Sequence, residues 1–195
     1  MTYVDLTHRL SVDTPVWPGD PKMQVEQAGI LAKDGFADSK LTLGTHLGTH
    51  IDAPAHMIEG GKALDQYPIE RFVGTAIVLD IQMDIQSLEG VDAVFFYTGA
   101  APRYDEDSYW EDYPVISQKM FDQLVEHNIK LIGIDAGSVD IGDDFPIHRQ
   151  LLGNDILIIE NLTDLKDLVG KKIEFTALPL NVALDGAPCR VIAKI

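Results

Sequence analysis

The segment His46-Leu47-Gly48-Thr49-His50-Ile51-Asp52-Ala53-Pro54-Ala55-His56 limits what this chain can fold into more than any other. Three of the six histidines fall within these eleven residues. Uniform scatter would place about 0.3 there, and such His/Asp clusters mark metal or catalytic sites. A helix is excluded, because Gly48 would cost about 1 kcal/mol and Pro54 about 3 kcal/mol in its interior. A helix would also turn Asp52 away from the face that carries His46 and His50. Extended backbone sends positions 46, 50, 52 and 56 to one side by parity, yet a straight strand would hold His46 and His50 roughly 13 Å apart. Ligands of one ion each lie about 2 Å from it, so the chain must bend between the two histidines. Gly48 supplies the freedom for the bend, and Pro54 ends regular pairing.

The donor set of His46, His50 and Asp52 suits Zn²⁺, with Mn²⁺ or Fe²⁺ as further options. His56 reads as a general base or proton shuttle, since a neutral imidazole near pH 7 takes a proton from water; a metal-ligating or a structural histidine are the other readings. Ligands must come from His, Asp and Glu, because Cys189 is the only cysteine and forms neither an internal disulfide nor a thiolate cluster. Other chemistries lack their motifs. Gly137-Ser138 is followed by Asp140 where a nucleophile elbow needs glycine, and no phosphate loop or dinucleotide fingerprint is present.

Fifteen basic against thirty-one acidic residues give a net charge of −16. That field repels phosphate backbones and anionic headgroups, so neither nucleic acid nor membrane is an expected partner, and it says little about the small-molecule substrate. The first residues lack a basic start followed by a long apolar run, and no apolar stretch reaches about eighteen residues. The expectation is a cytoplasmic protein. Apolar residues make up 46% and run through the whole chain with no linker, repeat or low-complexity tract, so residues 1–195 read as a single domain.

Short strands are expected at 3–6 and 41–43, longer ones at 73–81 and 93–97, and buried ones at 131–134 and 156–159. A last strand is expected at 172–177, before a tail containing Pro and Gly. Residues 14–21 form a proline-punctuated loop. Met120, Phe121, Leu124 and Val125 recur at helical spacing after Ser117, which is placed to cap the helix, with Asn128 as a left-handed stop. Pro146 opens a second, short helix that Gly153 closes. Gly60-Gly61 reads as a loop that turns the backbone away from the histidines. The class is α/β with a mixed β-sheet.

The pattern His-x-Gly-Thr-His-x-Asp-x-Pro-x-His resembles that of the bacterial cyclase family, which includes the metal-dependent kynurenine formamidases and the isatin hydrolases. The likeness continues in Trp17-Pro18-Gly19-Asp20-Pro21, Tyr97-Thr98-Gly99, Gly133-Ile134-Asp135 and the closing Asp185-Gly186-Ala187-Pro188-Cys189-Arg190. The resemblance implies a swivelling β/β/α domain, and a homodimer or homotetramer with sites near subunit boundaries. It implies one or two ions, Zn²⁺ or Mn²⁺, the second held by Asp52 with His148 and Glu160. It further implies hydrolysis of a small amide, formamide or lactam, with N-formyl-kynurenine of tryptophan catabolism as the first substrate to consider. His56 would be the catalytic residue, Trp17 would line the pocket to bind substrate, and Phe36 is a second candidate of the same type. A metal-dependent lyase or cyclase and a non-catalytic metal-binding protein are the alternatives. The chain has Leu47 and Gly44 where the formamidase pattern usually has Thr and Ser, positions that concern the pocket and not the ligands.

Overall fold

The runs Ala93–Tyr97, Leu131–Ile134 and Leu157–Glu160 are apolar at nearly every position because both of their faces are covered. In the computed structural model, which describes residues 1–142 and 144–195, they form the parallel centre of a mixed sheet. In chain order the elements are β1 (Tyr3–Asp5), β2 (Gln24–Gly29), α1 (Leu31–Asp34), β3 (Asp38–Thr42), β4 (His50–Asp52), β5 (Val73–Asp80) and β6 (Ala93–Tyr97). There follow α2 (Gln118–Glu126), β7 (Leu131–Ile134), α3 (Pro146–Gly153), β8 (Leu157–Glu160), β9 (Lys172–Pro179) and β10 (Gly186–Lys194). Among the described residues, β4 to β10 close on themselves in the order β10-β4-β8-β7-β6-β5-β9, because β9 pairs with both β5 and β10. The sheet is therefore a barrel, with β1 added along the second half of β10.

Strand parity separates two cores. Phe95, Leu131, Leu157, Ile159, Phe175 and Val191 point into the barrel, where the rings of Phe95 and Phe175 meet at 5.4 Å. Phe96, Ile132, Ile134 and Ile158 point outward against Phe121 and Leu124 of α2 and Leu151 of α3. The same parity places His50 and Asp52 outside the barrel on β4, since Ile51 between them points inward, and puts Glu160 outside on β8. Pairing of His50 with Glu160 then sets all three on one patch of the outer wall, beneath α3.

The mixed α/β class is as expected, and the capping of α2 is too: Ser117 Oγ accepts from the Met120 amide, and Asn128 is left-handed at φ 54°. Other expectations need correction. Residues 186–194 are the longest strand and not a tail. Pro188 fits there because the β4 ladder is bonded through the Cys189 amide to the Thr49 carbonyl and pairing with β9 begins only at Cys189, so its missing donor is not called on. Of the expected strand 41–43, Leu41 and Thr42 end β3 and Leu43 lies beyond it, and β3 pairs with the unforeseen β2 in a separate hairpin instead of the main sheet. Gly153 lies inside α3, and the left-handed turn falls on Asp155. Among the described residues no helix is long and apolar enough to cross a membrane.

Replacing Phe95, fully buried inside the barrel, by Ala is expected to cost about 3–5 kcal/mol. Replacing the exposed Met83 by Ala should stay within about 0.5 kcal/mol. Urea unfolding of both variants checks this, and equal losses would contradict the burial of Phe95 inside the barrel.

Candidate metal centre

The chain bends at Gly48, as the spacing of the histidines requires. Gly48 has φ +63°, and a side chain there would collide with Leu10. After the bend, β4 presents His50 and Asp52 side by side, and Pro54–His56 turns back as a 3₁₀ turn that brings His56 over them. β10 enters beside β4 with Gly186 opposite Asp52. A Cβ at Gly186 would lie 2.8 Å from His46 Cε1, so this glycine leaves the space that the His46 ring occupies. His148 reaches the patch from the first turn of α3.

Asp52 is the centre of the arrangement. Its Oδ1 lies 2.7 Å from His46 Nδ1 and 3.3 Å from His50 Nε2, and its Oδ2 lies 3.8 Å from His148 Nε2. Glu160 contributes Oε1 at 3.0 Å from His148 Nε2 and Oε2 at 3.5 Å from His50 Nε2. Two sets of ligand atoms gather within 4.8 Å of one another, His46-Asp52-His56 and His50-Asp52-Glu160, with Asp52 common to both. Hence the residues predicted from sequence come together, but in a different partition: His56 stands among atoms of ligating type as well as near the cavity.

Protonation follows from this crowding. Burial pulls the His46 imidazole down, and the charges and hydrogen bonds of Asp52 and Asp185 outweigh it, leaving a pKa raised to about 9. Burial likewise opposes the Glu160 charge and the Asp140 and Glu160 hydrogen bonds at His148, which is raised to about 10. Asp52 is held well below the carboxylate range, its burial being outweighed by His46 and His50. His56 goes the other way: burial and the neighbouring His46 and His148 lower it despite the Asp52 charge. Even so, the buried His50 Nε2 and Asp52 Oδ2 have no hydrogen-bond partner among the described residues. A buried polar atom left unpaired costs about 1–3 kcal/mol, and two of them aimed into a nest of imidazoles and carboxylates fit a divalent cation. The donors are those of Zn²⁺ or Mn²⁺ sites.

Side chains behind the patch fix these rings. Asp140 Oδ2 accepts from His148 Nδ1 at 2.9 Å and from the His148 amide at 2.8 Å, which leaves Nε2 facing the patch. Asp185 Oδ2 lies 2.8 Å from His46 Nε2 and 3.6 Å from His56 Nδ1. Asp140 carried no spacing signal in the sequence, and Asp185 stood in the closing motif without a role. In front of the patch is a cavity of about 240 Å³. Trp17 lines it, edge to face with Trp110 at 5.7 Å and tilted on Phe145 at 6.0 Å. Trp110, which ends the 3₁₀ turn Asp107–Trp110, and Phe145, which precedes α3, were missed by the sequence reading because neither segment's composition gives a hint of a shared wall. Phe36 is absent from the lining; it is exposed on the turn between α1 and β3.

Zn²⁺ or Mn²⁺ at about 100 times its Kd should add about 2.7 kcal/mol of stability, or roughly 5–10 °C in Tm for a chain of this size. Asp52→Asn should abolish that rise. Calorimetry with and without a chelator reads both, and an undiminished rise in the variant would remove Asp52 from the site.

Residues 4–141 match the model of the Cyclase family. An uncharacterized protein of Methanocaldococcus jannaschii is 38% identical over 195 residues, covering 99% of both chains. A kynurenine formamidase of Salinibacter ruber is 34% identical over 210 residues, covering all of this chain and 98% of that protein. The solved structure of a potential metal-dependent hydrolase with cyclase activity superposes with a TM-score of 0.79 at 28% identity, over 98% of this chain and 96% of that one. With the histidine motif, the barrel and these end-to-end likenesses in agreement, the chain belongs to the cyclase family.

Proposed function

We propose that this protein is a metal-dependent hydrolase that cleaves the C–N bond of a small aryl formamide or amide, with N-formyl-kynurenine as its substrate. One observation carries the reading: two unpartnered buried ligand atoms, His50 Nε2 and Asp52 Oδ2, in a cluster whose His46, His50, His148 and Glu160 line a cavity walled by Trp17, Trp110 and Phe145. The likeness to a kynurenine formamidase along the entire chain supports the choice of substrate. Residues 1–195 act as one domain, since both cores share the barrel wall.

His46, His50 and Asp52 would hold one Zn²⁺ or Mn²⁺, and Asp52, His148 and Glu160 a second; unlike the nearest groupings of ligand atoms, which set His56 with His46 and Glu160 with His50, this division leaves the His56 imidazole free to move protons. A divalent ion there would lower the pKa of coordinated water and polarise a carbonyl. The aromatic wall takes the substrate ring. His56 stays neutral near pH 7, because its pKa is lowered chiefly by burial. Asp185 faces its Nδ1, so Nε2 is the atom that accepts the proton of the attacking water and returns it to the departing nitrogen. The water oxygen bonds to the formyl carbon, the C–N bond breaks, and formate and an amine leave.

Formate release from N-formyl-kynurenine by protein loaded with Zn²⁺ or Mn²⁺ tests the reading, with chelated protein as control. Metal-dependent turnover is expected, and His56→Ala should lower kcat by about 10²–10⁴-fold while leaving metal content unchanged. No turnover with metal bound would overturn the formamidase assignment and point to lactams such as isatin. Undiminished kcat in the variant would remove His56 from the mechanism.

The active form is a homodimer or homotetramer. Its support is the hairpin of β2 and β3, whose neighbourhood leaves Leu31, Phe36 and Leu41 more than half exposed, since an isolated two-stranded hairpin is marginally stable in water. Light scattering should give two or four copies, and Phe36→Asp with Leu41→Asp should shift the mass toward one. A monomeric parent would refute this.

A further inference from the structure

Asn161 follows Glu160 and adopts a left-handed backbone at φ +58°, nearly fully buried. All of its polar groups are used. Its amide donates to the Ala136 carbonyl at 3.0 Å, and its own carbonyl accepts from Thr49 Oγ1 at 2.6 Å. Its Nδ2 donates to the Gly48 carbonyl at 3.0 Å, and its Oδ1 accepts from the Tyr109 hydroxyl at 2.8 Å. The same Gly48 carbonyl accepts from His50 Nδ1 at 2.8 Å. A carbonyl oxygen has two lone pairs, and these two donors fill them. His50 is thereby fixed in the tautomer and orientation that leave Nε2 facing Asp52 and Glu160.

The glycine makes this anchoring necessary. A peptide group flanking a residue with no Cβ rotates more freely than any other, and rotation of the Gly48 carbonyl would release His50 Nδ1. Tyr109, which has no exposed surface, holds the far end of the chain of bonds. Its neighbour Trp110 stands edge-on to its ring at 4.9 Å and forms part of the cavity wall.

We infer that Asn161 and Tyr109 are positioning residues for the metal site, holding the His50 ring through the Gly48 carbonyl and linking it to the aromatic wall. The inference rests on the reading of His50 as a ligand. Partners of ligating histidines commonly change metal affinity by 10–100-fold when removed.

The experiment compares Tyr109→Phe, which removes only a hydroxyl, and Asn161→Gly, which tolerates the left-handed backbone, with the double variant. Affinity for Zn²⁺ and for Mn²⁺ is read by competition with a chromophoric chelator, and Tm is read on the chelated protein. The expected result is a loss of about 10-fold or more for Asn161→Gly, a smaller loss for Tyr109→Phe, and no further loss in the double variant, as for residues acting in one chain. Unchanged affinity with a lowered Tm of the metal-free protein would overturn the inference and leave a purely structural pair. His50→Ala is the control: if it binds metal as the parent does, the ligand reading has failed, and the positioning role falls with it for that separate reason.

Discussion

The structure turns on one buried carboxylate. Asp52 is fully enclosed where β4 meets β8 and β10, and an isolated charge in such a place would cost several kcal/mol. It is tolerated because His46 and His50 stand within 3.3 Å of its Oδ1 and because Glu160 and His148 complete the neighbourhood. Much of the local architecture follows from that need. The bend at Gly48 brings two histidines to one carboxylate, and the bare Gly186 gives the His46 ring its room. Closure of the barrel by β10 delivers Asp185 to the other side of that ring.

The outer wall of the barrel is what makes the site a pocket. Ligands rooted on β4 and β8 face α3 and the loops, not the barrel interior, so the inner core remains entirely apolar or small while the polar cluster looks out on a walled cavity. His148 enters through α3, oriented by Asp140, and the aromatic wall comes from three segments distant in the chain. Strands thus carry His50, Asp52 and Glu160 while the aromatic wall is carried outside the sheet, a division under which the wall can vary without disturbing the charged cluster.

Much of this was legible in the sequence, and the reasons are specific. The His46–His56 segment declared its bend, because glycine and proline stood where ligand reach required them. The central strands declared their burial by unbroken apolar runs, and α2 declared its cap at Ser117. Hidden were features that depend on pairing between distant segments. β10 looked like a tail because Pro188 and Gly186 break ordinary strands, and only its position between β4 and β9 makes them acceptable. Asp140, Trp110 and Phe145 join the site by tertiary contact alone, with no local periodicity to announce them. Phe36, grouped with Trp17 as an aromatic of the same type, lies instead on the exposed arm.

The central claim is that Asp52 and the imidazoles around it hold a divalent cation. Anomalous diffraction from crystals grown with Mn²⁺ or Zn²⁺, recorded at the metal's absorption edge, tests it most directly. The account predicts a peak about 2.0–2.2 Å from a carboxylate oxygen of Asp52, with imidazole nitrogens of the cluster completing its shell. Peaks confined to surface carboxylates, with Asp52 still bonded to His46 and nothing between it and His50, would contradict it.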